Sequence, residues 1–550
     1  MDPYWYKDAV IYAVDVEKFA DGDGDGIGDF RGLLERLDYI ADLGVTCLWV
    51  LPFYPSPRRD NGYDVTDYFG VDPRFGTLAD FVQLVRACGE RGMRVLIDIV
   101  VNHTSDRHPW FVAARHDPVS RFRDYYIWAD PPPAIPPGWA NAFPGETDGV
   151  WTYDAVARAY YYHRFYDFQP QLDMANDEVR HEVRRILDFW CALGVSGFRI
   201  DALPIMFGHD PCVPSPRYPQ LWLRELRSHV SSVREDAALI GEVDLSPSQL
   251  SEYFGDGDGL HMLLDFFLDA HVFLALATEC KDPILRSLRQ LPAPPHPGQW
   301  VNFLRNLDEL NLGWLTAAER ETVYERFAPT EDMRIYDRGI RRRLAPILQN
   351  DRRRLELVYS LLFSLPGTPI LAYGDEIGMG ENLEQPGRDA VRVPMQWSRA
   401  RNGGFSSAPK SRLVRAVLSE GAFGYQQLNV ADQQRDSGSL LNWMRELIRA
   451  RRSCPEFGHG SWSALESGTS AVLAHQCVWK DGKVIAVHNL SAEEQPLSLD
   501  LRDHHAFSLE PVFGVAQPCI DGGRCAMSLP PYGYQWVRTL AAPEERRASW

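Results

Sequence analysis

Carboxylates collect at one kind of place in this chain. Apolar runs rich in β-branched residues break into acidic or amide side chains at Asp98 and Asn102, Asp201, Glu242, Asp308 and Asp375. Strand-end capping explains one or two such residues, but not a set spread over five runs. Two carboxyl groups that face each other can share a displacement at an acetal carbon. One attacks the carbon and the other protonates the leaving oxygen. Asp201 is the candidate nucleophile. Arg199 lies two residues earlier, so in an extended strand both side chains project to one side. A guanidinium there keeps a carboxylate ionised and oriented. Glu242 is the candidate acid/base. It follows the apolar run ALIG, and an apolar surround lifts a carboxyl pKa toward neutrality.

A second acidic group suggests different chemistry. The stretch DGDGDGIGD places Asp21, Asp23, Asp25 and Asp29 close together. Carboxylates so near repel one another unless a cation sits among them, and the intervening glycines permit a tight turn. No thiol or imidazole is near, so a hard cation, Ca²⁺ or Mg²⁺, is expected, with the Ile27 carbonyl as a further ligand. The spacing is like the start of an EF-hand loop, yet the position of its bidentate Glu is held by Gly32. The role expected is structural, and no organic cofactor is required.

The elements that must position these groups follow from hydrophobic pattern. Eight runs, at 9–16, 46–53, 94–101, 197–202, 238–243, 261–268, 302–309 and 370–377, are apolar in both directions. That suits parallel strands buried on both faces. Helical patterns at 78–92 and 179–194 supply crossovers. The sum predicts an α/β fold, a (β/α)₈ barrel, with the polar strand ends on the C-terminal rim where such barrels carry their sites. Residues 104–175 are too many for a loop and read as a small inserted domain over the pocket. Residues 460–550 alternate apolar and polar, as in a C-terminal antiparallel β-sandwich, and end in a loose tail at 541–550. The barrel then takes 1–103 and 176–459.

Composition narrows the class. A chain of 550 residues implies about two to four domains. A net charge of −18 excludes a nucleic-acid partner. Arginine runs at 341–343 and 352–354 are expected on solvated helix faces. Nine cysteines without a CxxC pair make neither a disulfide framework nor a zinc site. No signal-like segment and no run of about 18 apolar residues occurs, so no membrane span and a cytoplasmic location are expected. Oligomeric state has no signature.

The segments DIVVNHT (98–104), GFRIDAL (197–203), GEVD (241–244) and NGYDVTDY (61–68) together resemble the α-amylase family of glycoside hydrolases, family 13. The resemblance spans essentially the whole chain. NHTSDRHPWF, RRRLAPIL, SLPGTPI, YGDEIGMG, VRVPMQWS, LLNWMRELI and LPPYGYQW are similar to its trehalose synthase and α-glucosidase members. The resemblance implies a retaining enzyme acting on short α-glucosides such as maltose or trehalose, through a glucosyl-Asp201 intermediate. It implies that Asp308 is a third carboxylate, binding sugar hydroxyls and stabilising the oxocarbenium-like state. By the same carry-over His103 and Tyr63 cup the glucose ring, and Asp98 and Asn102 support the site. Asp60 and Arg392 close the pocket behind the non-reducing end, which restricts attack to a terminal glucose.

One position departs from that pattern. The family has Asn-His-Asp where this chain has Asn306, Leu307 and Asp308. Leucine cannot donate to a sugar hydroxyl. Losing one such bond, at about 2–3 kcal/mol, slows catalysis about 30- to 150-fold. Three outcomes stay open: a slowed α-glucosidase or transglucosylase, an enzyme re-specified for a sugar altered at those hydroxyls, or a sugar-binding or regulatory homologue. Asp244 is a second departure, in EVD where relatives usually show EAN.

Overall fold

Every residue of Ile11–Val14, Cys47–Val50, Gly197–Ile200 and Ala238–Gly241 is buried. Strands apolar on both faces need cover on both, and a closed barrel ringed by helices supplies it. The computed structural model describes residues 3–136, 141–214, 218–502 and 508–540. Its barrel strands are β1 (Ile11–Val14), β2 (Cys47–Val50), β3 (Arg94–Ile99), β4 (Gly197–Ile200), β5 (Ala238–Gly241), β6 (Met262–Leu264), β7 (Gln299–Asn302) and β8 (Thr368–Ala372). They pair in chain order, all parallel, and β8 closes on β1 with Ile370 opposite Ile11. Crossover helices carry sequence-legible starts. Thr77 and Asp80 form a reciprocal capping box on Leu78–Glu90, and Asn176 caps Asp177–Ala192.

Several expectations need correction. The run 261–268 is a strand only at Met262–Leu264, with a helix from Phe266, and the run 370–377 leaves the sheet after Ala372, with Asp375–Ile377 in a 3-10 turn. The seventh strand is not 302–309: it ends at Asn302, and the following residues form a loop. β6 has three residues, because Asp265 already caps the helix Phe266–Thr278 by accepting from Leu268 N–H. β7 still pairs with Pro369 of β8 at Asn302, and its apolar continuation leaves the sheet there as a loop. The arginines at 341–343 are not on a helix face either. Arg343 is buried against Asp375 and the Tyr373 carbonyl, Arg342 pairs with Glu381, and Arg341 donates to Leu383 and Gln385 carbonyls. They pin irregular loops together, which a charge pattern cannot distinguish from solvation.

The segment between β3 and β4 carries its own sheet of Trp128–Ala129, Ala159–Tyr162 and Trp151–Asp154. Its far end is fastened to the barrel. Leu172 N–H donates to Asn102 O at 2.9 Å, and the side-chain amides of Asn102 and Gln171 bond reciprocally at 3.0 and 2.6 Å. Beyond the barrel, a five-stranded and a three-stranded antiparallel sheet enclose a separate apolar cluster that includes Ile485, Val487, Leu497 and Leu529. Trp536 Nε1 donates to Ser360 Oγ and so docks the larger sheet on the barrel helix Arg352–Ser364. The tail 541–550 lies outside the described residues. All nine cysteines are free thiols. Among the described residues no helix is long and apolar enough to cross a membrane.

Candidate active site

Arg199, the third residue of β4, organises the site. Its Nη1 bonds Asp98 Oδ1 at 2.7 Å and also bonds Asp201 Oδ1, while Nη2 meets Glu242 Oε1 at 2.7 Å. One buried guanidinium therefore gathers carboxylates from the ends of β3, β4 and β5. Neighbouring parallel strands are in register here, Asp98 beside Arg199 and Arg199 beside Ile240, which brings the three acids to one rim. Ala202, next to Asp201, has φ +49°, and its N–H donates to Glu242 Oε2 at 2.9 Å. A non-glycine residue in that region stores strain, here where the two reactive carboxyls meet.

Burial sets their protonation. Desolvation pushes Glu242 up to about 7, opposed by Arg199 and reinforced by Asp201. Desolvation also raises Asp201, with Arg199 pulling it back down and a hydrogen bond from Glu242 favouring its charge. A proton on Glu242 and a charge on Asp201 is the state this arrangement favours, the division of labour an acid and a nucleophile need. Desolvation lifts Asp98 to about 6 against Arg199 and a Trp49 indole bond at 2.9 Å.

Asp308 behaves oppositely. It is held below the usual carboxylate range in spite of burial, because Arg388, Arg392 and Arg199 surround it. Arg388 Nη1 reaches its Oδ1 at 2.7 Å and Arg392 Nη2 reaches the same oxygen at 2.5 Å. Arg388 Nη2 also bonds Asp60 Oδ1 at 2.7 Å, and Gln169 Nε2 bonds Asp60 Oδ2 at 2.9 Å. His103 Nε2 is bonded to the Tyr63 carbonyl at 3.0 Å, and burial lowers its pKa to about 4, so it stands neutral.

A cavity of about 390 Å³ opens over these groups, within the range of small-molecule sites. Asp60, Tyr63, His103, Arg199, Asp201, Glu242 and Asp308 all line it. Arg392 and Leu307 do not. Arg392 is 1% exposed, and its Nε donates to the Leu307 carbonyl at 2.8 Å. Leu307 is 2% exposed and packs in the main apolar core. Of the two arginines bonded to Asp308 Oδ1, Arg388 is the one that lines the cavity, and sequence reasoning missed it. Arg388 sits in the short 3-10 turn Gly387–Val391 and Arg392 is the residue that ends it, and both guanidinia reach Asp308 Oδ1.

The acidic loop after β1 divides. Carboxylate oxygens of Asp21, Asp23 and Asp29 lie within 4.8 Å of one another. Gly24 and Gly26 have φ +82° and +106°, which lets the chain fold back between them. Asp25 is outside this group: its Oδ1 accepts from Ile27 N–H at 2.8 Å. The three converging carboxylates fit a hard cation.

Comparison with known proteins follows the same lines. The α-amylase catalytic-domain family model matches residues 11–460. The trehalose synthase/amylase TreS of Mycobacterium tuberculosis is 41% identical over 98% of this chain and 90% of its own length. A trehalose synthase of Thermus thermophilus is 42% identical over 97% of this chain, which spans 55% of that protein. An oligo-1,6-glucosidase of Bacillus cereus is 27% identical over 90% of this chain and 92% of its own. Among solved structures, an α-amylase from H. orenii superposes with a TM-score of 0.78 at 28% identity, over 97% of this chain and 99% of that one. The barrel, the rim carboxylates and these matches lead to one conclusion: the chain belongs to the α-amylase family and is an enzyme of its glycosidase and transglucosylase kind.

Proposed function

We propose that this enzyme cleaves short α-glucosides, such as maltose or trehalose, with retention through a covalent glucosyl-Asp201 ester. The reading is carried by Arg199 holding Asp201 and Glu242 together in the lining of one cavity. Asp201 attacks the anomeric carbon while Glu242 gives its proton to the departing oxygen. Glu242 then takes a proton from the incoming hydroxyl as the ester breaks. Water arriving gives hydrolysis, and a sugar arriving gives transfer. The relatives named trehalose synthase support transfer. The alternative, a sugar-binding or regulatory homologue, has no use for a carboxyl tuned to about 7 beside a second one. Incubation with trehalose, maltose, sucrose and isomaltose is expected to yield an isomer or free glucose from at least one. No product from any of them overturns the proposal.

The pH dependence has a defined sign. Glu242 must carry its proton, so kcat/KM on a disaccharide falls about tenfold per pH unit once pH exceeds about 7. Steady-state rates from pH 5 to 9 measure it. Glu242→Gln is expected to lose that limb along with most of the rate.

Leu307 stands behind the cavity wall rather than in it. Its side chain is packed in the core, and Arg388 and Arg392 already donate to Asp308. Leu307 therefore does not touch a sugar in the cavity, and Leu307→His is expected to give no gain on aryl α-glucoside. A gain above about tenfold, within the 2–3 kcal/mol of a lost bond, marks a slowed enzyme instead.

Asp21, Asp23 and Asp29 would hold Ca²⁺ or Mg²⁺ in a structural role, since none of them lines the cavity. Chelation by EDTA should lower the melting temperature by several degrees and leave kcat at 25 °C within about twofold. A large loss of kcat without a change in melting temperature contradicts a structural ion.

A further inference from the structure

A second, much smaller cavity, of about 10 Å³, lies where the helix Phe266–Thr278 meets the end of β7. It has room for one particle the size of a water molecule. Asp265, Asp269 and Asn302 line it, and none is more than 4% exposed. Asp265 spends its Oδ1 on the helix cap, and Asp269 follows one turn later on the same side. Asn302 Nδ2 donates to the Pro366 carbonyl at 3.0 Å, which fixes its amide and leaves Oδ1 turned away from that bond. Among the described residues no donor reaches Asp265 Oδ2, Asp269 Oδ1 or Asn302 Oδ1. The rest of the wall is apolar, with Val272, Phe303 and Leu362 among its members. Buried acceptors without donors are costly, and buried like charges more so.

The charges nearby say what is missing. Arg305 donates from Nε to the Arg342 carbonyl at 2.7 Å and from Nη2 to the Asp308 carbonyl at 2.5 Å, and its charge favours ionised Asp269. One guanidinium offsets one of the two carboxylates. Water brings two hydrogens for three acceptors and no charge. A divalent ion brings more charge than remains to be met and wants more oxygens than the cavity offers. A monovalent cation meets all three oxygens and closes the charge, and K⁺ is near water in size. We propose that Asp265, Asp269 and Asn302 bind a dehydrated monovalent cation, K⁺ by size, apart from both the sugar cavity and the acidic loop of Asp21, Asp23 and Asp29. The ion braces the catalytic loop from behind: Phe303 and Leu304 line its cavity, and Arg305 next to them holds the Asp308 carbonyl.

A proton is the competitor. Burial raises Asp265 to about 7 and raises Asp269 as well, and no other titratable side chain lines the cavity among the described residues. Crystals of the whole chain grown from potassium or rubidium chloride at pH 8 test the site directly, with data taken where these ions scatter anomalously and water does not. Anomalous density between the three oxygens is expected. A peak without anomalous signal overturns the inference in favour of a water and a shared proton. In solution, KCl replacing choline chloride at fixed ionic strength, with Ca²⁺ present to fill the acidic loop, should raise the melting temperature by at least about 2 °C at pH 8 and by less at pH 6. Asp269→Asn removes one charge and puts an NH₂ donor beside the remaining acceptors, so it should fold and lose that rise. A rise of equal size in Asp269→Asn overturns the inference. Should the variant fail to fold, the diffraction result decides alone. None of these readouts depends on α-glucoside turnover.

Discussion

Asp201→Asn is expected to lower kcat/KM on maltose by at least about ten-thousandfold. A nucleophile that forms a covalent intermediate cannot be replaced by binding and proton transfer alone, and losses of this order follow its removal. The amide keeps the shape and can still accept from Arg199, so the fold should survive. Unchanged melting temperature with abolished turnover is the signature. Asp201→Ala with added azide sharpens the test. A small anion entering the emptied position should give a glucosyl azide of β configuration from an activated α-glucoside, because attack comes from the face Asp201 occupies. Residual activity of more than about one percent in Asp201→Asn points to another nucleophile.

The second large effect belongs to Arg199. Arg199→Ala strips one guanidinium from three carboxylates at once. Leaving buried charges unpaired costs about 3–5 kcal/mol, and the geometry of both reactive groups goes with it. We expect at least about a thousandfold loss in kcat and a clear drop in melting temperature. The drop has a pH sign. Burial already raises Asp98 to about 6 and Glu242 to about 7, and without Arg199 both rise further. A carboxyl whose folded pKa is raised favours the fold when protonated, and that support is lost as pH climbs through the folded pKa. The variant should therefore melt highest near pH 5 and fall steeply toward pH 8. Arg199→Lys should not restore activity, because an ammonium is a point charge and cannot fork to several carboxylates.

Much of this site could be read from the chain because it sits on strands. Alternation and burial fix where a strand-end side chain points. Asp98, Asp201 and Glu242 thus came together on one rim from their places in apolar runs alone. The resemblance then brought Asp60, Tyr63, His103 and Asp308 to the same cavity. What resisted reading sits on loops. Arg388 reaches Asp60 and Asp308 from a turn whose path depends on Arg341 and Arg415: Arg341 fastens the carbonyls of Leu383 and Gln385, and Arg415 binds Asp389. No local pattern encodes such a path. The end of β7 is likewise invisible in the pattern: the apolar residues Phe303 and Leu304 continue the run but belong to a loop, and both are buried either way. The Arg341–Arg343 triplet was misread because buried and solvated arginines share a composition and differ only in what surrounds them.

Leu307 occupies φ +70°, and its carbonyl is thereby aimed at Arg392. Side chains avoid that backbone region, with Asn, Asp and His the usual exceptions. The imidazole found in related enzymes is thus at home there in conformation as well as in chemistry, whereas leucine endures a curvature it would not choose. Saturation mutagenesis at this codon would sort its survivors by left-handed tolerance before sorting them by reactivity, with glycine and asparagine outlasting valine and isoleucine.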